Sequence, residues 1–486
     1  MVFFDVVPKF PRKPKLHPLG TPAEGDFVKR RYPMPVKEAP DIAEQENRND
    51  FHRDKDRILY SRAFRRMMHK TQVCFTGEMN EHLRTRLTHT FEVAQVARSI
   101  ARAVGANEDL TEAIALGHDV GHTPFGHIGE YTLQNFLSNA DLHTNSLSRG
   151  RVESGHIGFK HNYQSVRLLS ELDKGYLSYQ GLNLTYVVLE GILKHSDLRF
   201  SEMPRDVFYE DISDVKEFHL DKNFSVTLEG QIVGLADEIA QVCHDFEDAL
   251  EAHFSNNRIV IDAAWQALNG DASSPGELSF LKSRYPHLNE TLDTEKRCIN
   301  PRYYRELTSI LIGYIILTSI EKVKEEMGKY LETHSDRSGL FPLEEGIVSE
   351  ENIIKHDPVY AFLKDIQKRY IIHNYEIARE NRKGEFVLRK LIQAYLGDPR
   401  QLPDPVLAYY SEHCTLGSIT RNIPEISGSP KNVRYLGEKE YESMKSTIIR
   451  DELFHRVICD YISTMTDRFA IAEYQKLYGT SFGETS

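Results

Sequence analysis

The sequence of 486 residues is short of several things at once. It has one tryptophan and five cysteines. Those cysteines (Cys74, Cys243, Cys298, Cys414, Cys459) are odd in number, widely scattered and never spaced as C-x-x-C, which supports neither a disulfide framework nor a thiolate zinc site and fits a reducing cytoplasm. No uncharged apolar run reaches the ~20 residues that span a bilayer. The longest, Leu307 to Ile320, reads as a buried core helix, so no membrane partner is expected. The N-terminus lacks the charged, apolar and small-residue succession of a signal peptide. Internal repeats and low-complexity tracts are missing too. What remains, at 40% hydrophobic and 27% charged residues with a mean hydropathy of −0.47, is a folded water-soluble chain. At the usual ~100–200 residues per domain it has material for two to four.

Positive charge is also scarce, with 60 Lys and Arg against 72 Asp and Glu and a formal net charge of −12. Such a surface repels long nucleic acid and anionic membrane, and a polyanionic ligand has to be met by a local reversal of sign. Residues 53–86 offer one: nine Lys and Arg against four acids, a net of +5. Histidine is in excess, 21 residues, about twice ordinary usage. Five of them, His82, His89, His118, His122 and His127, fall within 46 residues.

Residues 1–50 read as an extended, proline-rich basic arm lying on the body or on a neighbouring subunit, because eight of the twenty prolines fall in the first 40 residues. Beyond residue 50 apolar side chains recur at helical spacing almost everywhere. His89, Val93, Val96 and Ile100 share one face of a helix predicted from Thr88 to Val104, ended by Gly105. Leu110, Ile114 and His118 share a face of the next, with Asn107 or Asp109 as its cap. Near the C-terminus Phe454, Val457, Ile458, Tyr461, Ile462 and Met465 mark a third. Loops are expected at 138–156, 268–276, 330–352 and 421–434, where Gly, Ser, Pro, Asn and charge cluster.

Two of these helices put a histidine on a face that should be apolar, and the second runs directly into an acid: His89, then His118-Asp119. A buried carboxylate needs a counter-charge, and a metal ion supplies one. In GLADEIAQVCHDFEDAL, residues 234–250, Leu235, Ile239, Val242, Phe246 and Ala249 form the packing stripe and leave Asp237, Gln241 and Asp245 in line on another face. Periodicity alone does not separate a pocket wall from a solvated acidic face there. Between the acids lies HDVGHTPFGHIGE, residues 118–130, whose glycines and proline force a sharp turn that carries His122, His127 and Glu130 back over the His-Asp pair.

These residues resemble the HD-domain phosphohydrolases, and within them the bacterial deoxyguanosine triphosphate triphosphohydrolases. The resemblance rests on RDKDRILYSRAFRRMMHKTQV (53–73), TRLTHTFEVAQVARSIARAVG (85–105), LTEAIALGHDVGHTPFGHIGE (110–130), EGILKH (190–195), the 234–250 segment and DYISTMTDRFA (460–470). It implies an all-α, HD-domain helical fold in which residues 51–300 form the metal-dependent core and 301–486 a large helical extension packed on it. It implies a His89, His118, Asp119, Asp237 quartet holding one divalent ion per subunit, for which Mn²⁺, Fe²⁺, Mg²⁺ or Co²⁺ suits two imidazoles and two carboxylates. It further implies hydrolysis of a deoxynucleoside triphosphate, dGTP foremost, to deoxynucleoside and intact triphosphate. His127 with Glu130 would be the catalytic pair and His122 a phosphate contact. Arg86 and Lys194 would meet the phosphates, and Gln72 and Asp245 the sugar 3′-hydroxyl. Many relatives carry a tyrosine four residues after the last metal aspartate, where this sequence has Gln241, so the contact made there differs. A homo-oligomer, an activating nucleotide between subunits and single-stranded DNA on the basic arm are further partners the resemblance suggests. Two other readings compete: the same metal chemistry on a monophosphate or signalling nucleotide, and a nucleotide-sensing or DNA-binding effector.

Overall fold

The computed structural model describes residues 16–33, 48–72, 84–138, 158–173, 175–196, 212–251, 257–268, 278–285, 301–334, 341–416, 423 and 431–479. The three- and four-residue apolar spacing becomes helix throughout, and among the described residues the only extended pairings are two isolated bridges, Arg30 with Thr185 and Thr71 with Thr85. The elements used below are α1 (Asp50–Tyr60), α2 (Arg86–Val104), α3 (Glu108–Gly117), α4 (His127–Leu137), α5 (His161–Arg167), α6 (Tyr186–Leu193), α7 (Leu228–Glu251), α8 (Pro301–Thr333), α9 (Pro358–Ile366), α10 (Tyr375–Gly397), α11 (Asp404–His413), α12 (Glu438–Ile448), α13 (Glu452–Ser463) and α14 (Asp467–Tyr478). Among the described residues no helix is long and apolar enough to cross a membrane.

Helix boundaries follow from local chemistry. α2 begins two residues before the predicted start because Thr85 and Thr88 form a reciprocal capping box, and it ends on Gly105 in the left-handed region at φ 80°. Asn107 caps α3, its side chain accepting from the backbone N–H of Asp109 and Leu110. α13 carries the predicted C-terminal stripe, with Phe454, Val457, Ile458 and Ile462 buried. The loop expected at 330–352 is shorter, since α8 continues to Thr333 and Glu350–Ile353 is a helical turn. Residues 139–157 and 269–277, most of two other expected loops, lie outside the described residues, as does most of 421–434.

Two hydrophobic cores organise the chain. The first joins α1, α2, α3, α6 and α7 with α8 and α9, so apolar residues from Leu19 to Ile366 share it. The second is built from α10 to α14 and takes in Phe125, Phe159 and the Leu133, Phe136, Leu137 face of α4. Within the N-terminal arm, residues 16–33 lie on the body of the same chain. Thr21 donates from its backbone N–H and hydroxyl to Glu229 at 3.0 and 2.7 Å, and Arg30 pairs with Asp50 at 2.8 Å and with buried Asp54. That segment contains a 3₁₀ turn at Gly25–Val28, which the proline count did not foretell.

Candidate metal centre and active site

Packing of α2 against α3 and α7 brings His89, His118, Asp119 and Asp237 to one point. α3 ends at Gly117, and the chain turns through 118–121 so tightly that a β-carbon on Gly121 would stand 2.1 Å from the backbone nitrogen of Ser165. Only glycine admits that approach of α5. The Ser165 hydroxyl then locks the turn, accepting from Gly121 N–H at 2.9 Å and donating to the His118 carbonyl at 2.8 Å. Phe125 and Gly126 follow with φ of 60° and 61°. Asp467 of α14 holds this strained stretch, its carboxylate accepting from Phe125 N–H at 2.8 Å and from Thr71 N–H at 2.7 Å.

The four expected metal residues present a donor set suited to a divalent ion. His118 lies with Nδ1 2.6 Å from the Ala115 carbonyl, so that nitrogen carries the hydrogen and Nε2 offers a lone pair. That Nε2 is buried without a hydrogen-bond partner. It stands 3.6 Å from Asp119 Oδ2 and 3.7 Å from Asp237 Oδ1, while His89 Nε2 is 2.9 Å from the same Asp237 oxygen. Burial alone would push Asp119 up, but His122, His118 and Arg86 outweigh it and hold the carboxyl well below the ordinary range. Asp237 is likewise held low against burial, by His89 and His118. Both carboxylates are therefore ionised, and two imidazoles with two carboxylates fit Mn²⁺, Mg²⁺, Fe²⁺ or Co²⁺. Behind the site His89 Nδ1 meets His244 Nδ1 at 3.0 Å, and His244 in turn pairs with Glu92.

The quartet opens into a cavity of about 440 Å³ whose wall includes Gln72, Arg86, His122, His127, Glu130 and Gln241. Arg86 is 1% exposed. One guanidinium nitrogen donates to Asp119 Oδ2 at 2.6 Å, and its Nε and second terminal nitrogen have no partner among the described residues. His122 lies with Nε2 3.1 Å from Asp119 Oδ1. His127 stands edge-on to His122 at 5.5 Å between ring centroids, and burial followed by Arg86 lowers its pKa.

Glu130 does not hydrogen-bond His127. Its partners are His161 Nδ1 at 2.8 Å and Lys160 at 3.3 Å, and His161, His122 and Lys160 hold it well below the usual carboxylate range against burial. His161 and His195 are the residues that sequence reasoning missed. His161 stacks on His122 with centroids 3.8 Å apart, and His195 sits against His118 at 5.0 Å. Burial, then His118 and His161, bring the His195 pKa down to about 4.

Two expected substrate contacts are not brought to the cavity wall. Lys194 points away, its ammonium paired with Glu190 at 3.0 Å and donating to the His219 carbonyl at 2.7 Å; the adjacent His195 takes the place at the wall. Asp245 is buried behind it, accepting from Gln367, with its other oxygen unpartnered and its pKa pushed by burial to about 6. The basic excess of 53–86 does not face the cavity as a patch either. Arg57 donates to the carbonyls of Leu182 and Asn183, Lys70 to those of His122 and Ser463, and Arg84 pairs with Glu92, Glu247 and Asp248. Of its nine basic residues only Arg86 lines the cavity, where Lys160 joins it.

Known proteins resemble this chain along most of its length. The HD domain profile matches residues 86–241 and the phosphohydrolase-associated domain profile residues 439–476. A deoxyguanosinetriphosphate triphosphohydrolase-like protein of Bordetella pertussis is 33% identical over 436 residues, 89% of this chain and 91% of the relative. Proteins of the same description from Geobacter metallireducens (32% over 438 residues, 89% and 90%) and Rickettsia typhi (31% over 443 residues, 90% and 94%) are similar along nearly their whole length. The chain belongs to the family of HD-domain deoxynucleoside triphosphate triphosphohydrolases, which are metal-dependent hydrolases.

Proposed function

We propose that this protein hydrolyses deoxynucleoside triphosphates, dGTP foremost, between the α-phosphate and the 5′-oxygen, with a divalent ion held by His89, His118, Asp119 and Asp237. One observation carries the reading. A buried arginine, Arg86, keeps two donor nitrogens unpartnered beside Asp119, in a cavity of nucleotide size. An unneutralised guanidinium edge in such a place is suited to phosphate oxygens, whose charge it meets with two directed hydrogen bonds. When bound, the ion supplies Lewis-acid polarisation of a phosphoryl oxygen and makes a water more acidic.

The chain's own groups do the positioning and proton handling. Water must lose a proton as it attacks phosphorus, and the 5′-oxygen must gain one as its bond to phosphorus breaks. His127, an exposed ring of the cavity wall whose cation is disfavoured by lost hydration and then by Arg86, is the group to accept the first and return it to the second. Glu130 acts through His161, fixing that ring. Gln72, whose buried Oε1 lacks a partner, is placed to accept from the sugar 3′-hydroxyl. Gln241 contacts the nucleotide from α7, one turn after Asp237.

The test is a product assay on the full chain with Mn²⁺ or Mg²⁺, offering each dNTP alone and in the presence of the others, alongside ribonucleoside triphosphates and nucleoside monophosphates. Inorganic triphosphate and deoxynucleoside are expected, the panel reporting base preference and activation together. His118→Ala is expected to lower kcat by ~10³-fold or more, roughly 4 kcal/mol of barrier. Release of pyrophosphate or orthophosphate, or turnover of monophosphates in place of dNTPs, overturns the reading.

A further inference from the structure

The two histidines of the quartet are held in different ways. His118 gives its Nδ1 hydrogen to a main-chain carbonyl. His89 faces a second imidazole instead, its Nδ1 3.0 Å from His244 Nδ1 and the two rings edge-on at 5.1 Å between centroids. His244 Nε2 in turn meets the carboxylate of Glu92. Helical period assembles this row. Glu92 stands three residues after His89 on α2, and His244 seven after Asp237 on α7, so each helix supplies a metal ligand and, one or two turns on, a member of the row behind it. Both rings are buried. Glu92 is 43% exposed at its side chain, and Arg84 holds it, with Nε 3.2 Å from each carboxylate oxygen.

Only one arrangement of hydrogens fits a bound ion. A neutral imidazole carries one N–H and one lone pair. For His89 Nε2 to offer its lone pair beside Asp237, the ring's hydrogen must sit on Nδ1, and His244 Nδ1 must accept it. The hydrogen of His244 is then on Nε2 and points at Glu92, which accepts. In the reverse neutral arrangement His244 Nδ1 donates to His89, and His89 Nε2 donates to Asp237, so the site loses a ligand. That arrangement also turns the lone pair of His244 Nε2 onto a carboxylate, and two acceptors pressed together away from water repel. Glu92 therefore selects the tautomer of His244, and His244 that of His89.

We infer that Glu92 and His244 are positioning residues that fix the tautomer of His89 and thereby set how tightly the ion is held. A carboxylate at the end of such a row also strengthens the ligating nitrogen as a donor. Neither residue is part of the cavity wall. The row behind His118 ends on the main chain, whereas that behind His89 ends on a partly exposed side chain, which makes His89 the ligand adjustable from outside the cavity. The inference rests on His89 as a ligand, as proposed above.

The experiment titrates the metal-stripped full chain with Mn²⁺, following the free ion by electron paramagnetic resonance, and reads histidine tautomers from nitrogen–proton NMR correlations of the Mg²⁺-loaded chain. His89 is expected to be protonated on Nδ1 and His244 on Nε2. Glu92→Leu and His244→Phe are each expected to raise the Mn²⁺ dissociation constant about 10–100-fold. His244→Asn, whose amide oxygen can accept in place of Nδ1, should recover most of that loss, which a merely space-filling role would not allow. Unchanged affinity in Glu92→Leu and His244→Phe, no recovery in His244→Asn, or a wild-type His244 protonated on Nδ1 overturns the inference; the wild-type tautomers stand even if a variant misfolds. Weakened Mn²⁺ binding in the variants with no triphosphate released by the wild type from any dNTP would sink the functional reading and leave this row standing. Triphosphate release by the wild type with unchanged Mn²⁺ affinity in the variants would do the reverse.

Discussion

The two hydrophobic cores meet the cavity on unequal terms. Among the described residues, the side chains that line it lie between Gln72 and Gln241, mostly on elements of the first core, while the second core reaches it through intermediaries. α4 is the junction: it turns Leu133, Phe136 and Leu137 into the second core and His127 and Glu130 into the cavity. Asp467 is the other link, tying the strained turn to α14 and to Thr71, next to Gln72. Phe125, in that turn, packs on Gly384 of α10, where a β-carbon would come within 2.7 Å of its ring. Reacting groups and restraint are thus separated in sequence. A residue in left-handed backbone geometry costs on the order of 1–3 kcal/mol and persists only when its surroundings over-determine it, which is the work of the C-terminal half.

The harshest challenge to that division is Asp467→Ala. It strips the buried Phe125 N–H and the half-buried Thr71 N–H of their acceptor, at about 1–3 kcal/mol each, so a loss of roughly 4 kcal/mol in unfolding free energy is expected by denaturant titration. Activity should fall with it, although Asp467 lines no part of the cavity. Retained kcat in a chain so destabilised would show that the turn holds its shape without α14, and the division would fail.

Lys70 sits on the seam between the cores, donating to the carbonyls of His122 and Ser463. Burial, then Arg66 and Arg86, bring its pKa down to about 7, against ~10.4 in an unfolded chain. Between those values the unfolded chain binds the extra proton, so stability rises with pH across that window. The rise should be on the order of 3 kcal/mol, smaller than the Asp467 effect, and absent in Lys70→Met. Unfolding free energies measured from pH 7 to about 10 check it; a wild-type curve as flat as the variant's would mean that the ammonium crosses the seam without penalty.

What the sequence made legible follows the reach of its local rules. Helical period placed His89 and His118 on inward faces, Gly105 and Asn107 marked the break between α2 and α3, and the density of Gly and Pro in 118–130 announced the turn. His161 and His195 obey no such rule: one opens the seven-residue α5 after an expected loop, the other follows the end of α6, and they meet only in the fold. Lys194 was readable in hindsight. Glu190 stands four residues before it, the spacing of a helical ion pair, and that pair turns the lysine away from the cavity. The basic stretch misled because charge counting sees no partners, and those of Arg84 on α7 lie more than 160 residues away.

The finest test of the division is a substitution that alters chemistry and leaves stability alone. Gln241 lines the cavity one turn after Asp237 and is half-buried. Its amide offers hydrogen-bond donors and an acceptor, whereas the tyrosine of many relatives offers a flat ring and one hydroxyl. Gln241→Tyr therefore exchanges polar reading of the nucleotide for stacking. KM for the preferred dNTP should rise about tenfold, near 1.4 kcal/mol, with kcat within a few-fold and preference among bases flattened, because unpaired polar groups penalise the wrong partner more than a ring face does. Unfolding free energy should stay within about 0.5 kcal/mol of wild type, since the side chain belongs to neither core. A variant that keeps its base preference would place the discrimination elsewhere on the wall, and one that loses stability in step with affinity would show that the first core, too, supplies restraint as well as reacting groups.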